Sequence, residues 1–139
     1  EIMELNLFNQ EVLDFNLQEF IPKIETQFIA LNIPSVNVIF IDEKEMQTLN
    51  SEYRKKDSVT DVLSFNVDSK ELLGEIYICP QYVSENFKAE KFTEEIIRLI
   101  IHGLLHLIGY DHDVELNDQT KEKVEMFVKQ EKILQNVIS

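Results

Sequence analysis

The stretch that decides the fold is Ile96-Ile97-Arg98-Leu99-Ile100-Ile101-His102-Gly103-Leu104-Leu105-His106-Leu107-Ile108-Gly109-Tyr110-Asp111-His112. Apolar residues fill nearly every position from Ile96 to Ile108, so a helix built on them is apolar almost all round. In a soluble domain such a helix is the buried central one. Thr93 is placed to cap its start and Gly109 to stop it near Ile108. His102 and His106 interrupt the apolar run. Four residues apart, they stack on one helix face, one turn from each other. Gly109 lets the chain leave with positive φ, and the turn through Asp111 can return His112 to the same point. Three neutral imidazoles hold one metal and leave a tetrahedral position open for water, as in catalytic rather than structural zinc. The plainer reading is two core histidines and one surface histidine. It must place two polar rings in the most apolar helix and treat Gly109 and His112 as coincidence.

Outward from this helix, the chain alternates strands and helices. Glu4–Phe8 is a short first strand. Leu17, Phe20, Ile21, Ile24, Phe28 and Leu31 recur at helical spacing, and Asn32 and Pro34 follow the end of that helix. Val36–Ile41 is β-branched and aromatic, which predicts a strand. Asp42 and Glu45 resemble a capping box opening a helix with Met46, Leu49 and Tyr53 on its apolar stripe. Arg54–Thr60 is a polar loop. Val62–Val67 and Glu75–Cys79 are strands, and Pro80 opens a short helix through Phe87. A last helix runs over roughly Asp118–Leu134, with Val124, Phe127 and Val128 facing inward. The order predicts an α+β fold in a single domain, residues 1–139: a small mixed β-sheet packed with helices, the central one bearing the metal site.

Composition narrows the function class. Hydrophobic residues at 44% and charged residues at 28% give globular rather than disordered proportions. Cys79 is the single cysteine, so no internal disulfide forms and a reducing compartment is expected. The start of the sequence has no basic segment followed by an apolar run, so no signal peptide is expected. The Leu99–Tyr110 stretch is too short to span a bilayer. The expectation is a cytoplasmic protein with no membrane partner. The formal net charge of −13 opposes simple nucleic-acid binding, because phosphate contacts supply much of that affinity.

The histidine spacing also resembles the zinc signature of the metzincin proteases, which carries Gly three residues before the third His. Gly103 stands where those proteases carry their general-base Glu, which counts against peptide hydrolysis. The whole motif more closely resembles that of the YbeY family of bacterial metal-dependent endoribonucleases. Leu49-Asn50-Ser51-Glu52-Tyr53-Arg54-Lys55-Lys56-Asp57, then Thr60-Asp61-Val62-Leu63-Ser64-Phe65, looks like the family's second hallmark segment, and Leu73-Gly74-Glu75-Ile76 like its following strand. The resemblance covers roughly Ile39–His112. Asn66 departs from a usual Pro, and Glu75 from a common Asp. The resemblance implies a metal-bearing central helix and a single-strand-specific RNase acting in ribosomal RNA maturation and ribosome quality control. It implies single-stranded or ribosomal RNA, ribosomal proteins and assembly factors as partners. It matches His102, His106 and His112 to zinc ligands and Arg54 to a functional arginine.

Zinc is the expected cofactor, one per chain, although three imidazoles also suit nickel, cobalt or copper. Arg54 and the metal-binding His102 are the expected catalytic positions, because a guanidinium fork matches phosphate oxygens and stabilises developing charge. Lys55, Lys56, Lys88, Lys91 and Arg98 are candidates for a basic rim. Asp111 is a candidate for orienting an imidazole, Asp61 for fixing the loop, and Tyr110 for stacking a base or packing beneath the metal turn. Cys79 reads as an inert strand residue, and Ser64 has no base nearby in sequence to make it a nucleophile. A ribosome-assembly factor with a mainly structural metal is the competing function, which the acidic charge favours through basic ribosomal proteins. A peptide or small-molecule hydrolase is a third.

Overall fold

A computed structural model describes residues 3–110 and 116–139, with residues 116–122 described by backbone only. Four strands form one sheet: β1 (Leu5–Phe8), β2 (Ser35–Phe40), β3 (Val62–Asn66) and β4 (Leu72–Ile78). Their spatial order is β1-β2-β4-β3. The first three lie parallel, with Leu5 opposite Val36 and Val38 opposite Ile76. β3 runs antiparallel to β4, with Leu63 opposite Tyr77, and forms an open edge. The sheet is mixed, as expected.

Alternation along the strands sorts the two faces. Val36, Val38, Phe40, Ile76 and Ile78 are buried on one face, where α1 (Ile21–Phe28), α4 (Phe92–Leu107) and α5 (Leu116–Ile138) supply the other side of the main core. Leu63, Phe65, Ile39 and Tyr77 look to the other face. There they join Met46 and Leu49 of α2 (Glu43–Arg54) in a smaller cluster. The capping reading of α2 holds: the Asp42 side chain accepts from the Glu45 N–H at 2.8 Å. The short α3 (Pro80–Asn86) follows β4 directly.

α4 is the central helix. Ile96, Ile97, Ile100, Ile101, Leu104 and Leu105 are fully buried, each contributing about 1.5–3 kcal/mol through the area removed from water. Its start differs from expectation. A 3-10 turn, Ala89–Lys91, leads straight into Phe92, so Thr93 lies inside the first turn and Lys91 takes the cap position without a side-chain bond. The end is as read. Gly109 has φ +119°, its N–H donates to the His106 carbonyl at 3.1 Å, and the Tyr110 N–H donates to the Leu105 carbonyl at 3.0 Å. This pair of bonds is the Schellman ending that glycine favours.

Two further sequence expectations are corrected. The helix expected across Leu17–Leu31 is a 3-10 turn at Leu17–Glu19, α1, and another 3-10 turn at Ile29–Leu31. Pro22 sits in the first turn of α1 and cannot continue a helix from upstream, because it lacks an N–H to give. In α5, Val124, Phe127 and Val128 face outward, at 58%, 61% and 59% exposure. The buried stripe is Met126, Gln130, Ile133, Leu134 and Val137, which keeps helical spacing with a polar residue in the middle.

This stripe has a measurable consequence. Leu134→Ala should cost about 2–5 kcal/mol in denaturant unfolding, as a buried Leu truncation does. Val128→Ala should stay within about 0.5 kcal/mol. Equal costs would mean that α5 packs on another face.

Candidate active site

The site is built on the second half of α4. Gly103 lets α4 lie against β4: a Cβ there would sit 2.8 Å from Ile76 Cδ1 and 2.9 Å from Ile76 Cγ2. Gly74 does the same from the sheet, since its Cβ would meet the Phe65 carbonyl at 2.4 Å and Leu107 Cδ2 at 2.6 Å. Position 103 thus faces packed side chains, and a carboxylate could not be carried there without moving Ile76. The same contact accounts physically for the absence of a general-base Glu.

His102 and His106 stand one turn apart with ring centroids 4.7 Å apart and ring planes at 73°. Both are half-buried and line one cleft of about 610 Å³. Arg54, Tyr53, Thr60, Asp61, Ser64, Phe65 and Asn66 line it too. α2 delivers Tyr53 and Arg54 at its last turn, and Lys55 stops it with φ 55°. The loop that follows is held from within. Buried Asn50 donates from Nδ2 to the Ser58 carbonyl at 3.0 Å, and its own carbonyl accepts from the Lys56 N–H. β3 places Ser64 and Asn66 toward α4, and Asn66 Nδ2 donates to the Leu107 carbonyl at 2.9 Å. That bond satisfies one of the carbonyls a helix end leaves without a partner, so the Asn in place of a usual Pro has a structural use.

Behind His102 lies a polar chain. Gln130 Oε1 is 2.8 Å from His102 Nδ1. Gln130 Nε2 donates to Glu131 Oε2 at 3.0 Å. Arg98 closes on Glu131 through Nε at 2.9 Å and a terminal nitrogen at 3.0 Å, and also pairs with Glu94 and Glu95. The hydrogen bonds from Arg98 hold the Glu131 carboxyl below its ordinary range against the opposing effect of burial, and the same partners push the Arg98 guanidinium up.

Two of the three expected ligands, His102 and His106, are therefore brought together. His112 and Asp111 lie outside the described residues. Among the described residues no group of three His, Cys, Asp or Glu side chains gathers for a metal. The donor chemistry fits a metal: two imidazoles share one cleft at the C-terminal end of a helix, where the backbone dipole favours positive charge. Arg54 is in the cleft as expected. The expected basic rim is not formed there: Lys55, Lys56, Lys88, Lys91 and Arg98 do not line the cleft, and Arg98 is committed to carboxylates. Tyr110 packs against the main core beneath the turn, the second of its two expected roles. Burial pushes the Cys79 thiol up, in keeping with an inert cysteine. Sequence reading missed Gln130, because nothing marks a glutamine on a distant helix as facing a histidine. A larger groove of about 760 Å³ at the C-terminal ends of β2 and β4, lined by Phe40, Asp42, Pro80 and Phe92, holds neither His102 nor His106. Chemistry, not size, points to the smaller cleft.

The sequence profile described as Endoribonuclease YbeY matches residues 4–138. The chain belongs to the YbeY family. The YbeY endoribonuclease of Thermotoga petrophila is 43% identical over 104 residues, covering 73% of this chain and 67% of its own. That of Ureaplasma urealyticum serovar 10 is 42% identical over 138 residues, covering 93% and 84%. The solution structure of TM1509 from Thermotoga maritima superposes with a TM-score of 0.65 at 36% identity, over 96% of this chain and 88% of that one. The α+β architecture is thus a YbeY fold.

The Arg98–Glu131 pair predicts a pH dependence with a definite sign. A carboxyl whose folded value is depressed contributes stability that is complete above its ordinary value of 4.5 and is lost as pH falls through the folded value. Glu131→Gln should therefore flatten part of the acid-side loss of stability below that value. An unchanged acid limb in urea titrations across pH would show that the pair adds nothing to folding.

Proposed function

We propose that this chain is a zinc-dependent endoribonuclease specific for single-stranded RNA, working in the cytoplasm on ribosomal RNA maturation and ribosome quality control. The observation that carries this reading is the meeting of His102, His106 and Arg54, from two distant helices, in one cleft. Membership of the YbeY family supports RNA as the substrate. His102, His106 and His112 would hold the zinc. When bound, the zinc would polarise a phosphoryl oxygen and make water a usable nucleophile near neutral pH.

The chain's own residues do the rest. Arg54 offers a planar fork of donors to phosphate oxygens and to the charge that grows on them. Tyr53 is 64% exposed and lies against Phe65, ring centroids 5.1 Å apart, at the same cleft. Such a pair is a platform for an unstacked base, which a paired strand cannot offer. This supports single-strand selectivity and gives the stacking role to Tyr53 and Phe65 rather than Tyr110. Position 103 holds no carboxylate for general-base work, so proton removal from the nucleophile falls to another group. Ribosomal proteins and assembly factors as partners rest on the family resemblance and on the acidic charge.

Purified zinc-loaded protein should cut a labelled single-stranded RNA faster than its duplex. His106→Ala should abolish cleavage, and Arg54→Ala should lower kcat/KM on the order of 10²-fold. Cleavage that persists in His106→Ala would identify a contaminating nuclease. No cleavage by the zinc-loaded wild type would shift the reading to an assembly factor with a structural metal.

A further inference from the structure

We propose that Gln130 is a positioning residue for this metal site, its side-chain oxygen holding His102 in the tautomer that keeps the proton on Nδ1 and presents the Nε2 lone pair to the metal. The inference rests on the metal-site reading above. Gln130 lies on α5, at 6% exposure, and its Oε1 is 2.8 Å from His102 Nδ1.

The direction of that hydrogen bond follows from what lies behind it. The two ends of a glutamine amide differ little in shape, so their assignment comes from partners. Gln130 Nε2 sits 3.0 Å from Glu131 Oε2. An ionised carboxylate only accepts, so the amide must turn its nitrogen toward Glu131 and its oxygen toward His102. Glu131 cannot swing away at low cost, because Arg98 grips both of its oxygens, at 2.9 Å and 3.0 Å. Arg98 is itself held by Glu94 and Glu95. A carbonyl oxygen facing Nδ1 requires a proton there, which leaves the lone pair of the neutral ring on Nε2. Metal-binding histidines depend on such a partner for tautomer and ring orientation, and losing it weakens metal binding about 10- to 100-fold.

A glutamine that merely satisfied itself in the core would alter stability and leave the ring and the metal affinity alone. Nitrogen-15 imidazole spectra of the metal-free full chain should therefore show His102 protonated on Nδ1. In a competition titration against a chromogenic chelator, Gln130→Met should bind zinc about 10- to 100-fold more weakly. Gln130→Leu, which also removes the acceptor while filling similar space, should bind zinc as weakly as Gln130→Met. Thermal unfolding of each metal-free variant reports whether it is folded, and the wild-type tautomer decides the matter should Gln130→Met fail to fold. His102 protonated on Nε2 in the wild type, or a folded Gln130→Met with wild-type zinc affinity, would overturn the proposal. A wild type that binds no zinc would overturn the metal reading and this proposal with it.

Discussion

The close seating of α4 on the sheet is the constraint on which the rest of the molecule depends. Two missing Cβ atoms permit it. Gly103 gives way to Ile76, and Gly74 gives way to Leu107 and to the Phe65 carbonyl. A helix seated this closely can be apolar on nearly all sides and still find partners, since the sheet takes one face and α5 and α3 take others. His102 and His106 are half-buried on the stripe of the helix left facing the cleft beside β3. The interaction that buries the helix thus also sets how far the imidazoles stand from the strand that lines their cleft. It explains why position 103 cannot serve as a catalytic carboxylate: a side chain there would be spent on the sheet.

The cleft is assembled from elements far apart in the chain, and each is pinned by a polar contact rather than by apolar packing alone. Asn50 fixes the loop after α2, Asn66 ties β3 to the last turn of α4, and Gln130 reaches His102 from α5. A buried amide is costly unless its hydrogen bonds are made. Its placement is correspondingly specific, and specificity is what a metal or phosphate site needs from its supporting residues. Arg98 shows the same economy. In sequence it is a free cation in an apolar helix. In the fold it is the fixed end of a chain of hydrogen bonds that leads through Glu131 and Gln130 to His102.

How much of this could be read beforehand depended on whether the signal was local. The helix register of His102 and His106, the Gly109 stop, the Asp42 cap and the β-branched and aromatic run of β2 are written within a few residues of where they act. These expectations hold in the structure. Thr93 misled because a 3-10 turn supplied the entry to α4, leaving nothing for its hydroxyl to cap. α5 misled because its buried stripe passes through Gln130, and a reading that follows apolar residues alone steps off that face onto Val124, Phe127 and Val128. Arg54 was legible through the family motif, whereas Tyr53 at the cleft mouth was masked by its place in an apparent apolar stripe. Long-range pairs such as Gln130 with His102 leave no local pattern at all.

A net charge of −13 opposes an RNA substrate only where the acidic residues lie. Carboxylates crowd the other end of the sheet, where Glu11, Asp14, Asp42 and Glu45 line the larger groove. Among the described residues, those lining the histidine cleft include one carboxylate, Asp61, and one cation, Arg54. At physiological ionic strength, interactions between exposed charges fade over about 8 Å, so a strand in the cleft responds chiefly to the charges lining it. Among the described residues those two charges balance, so the acidic excess does not fall on this lining. Affinity at a cleft with so few cations draws on few phosphate contacts.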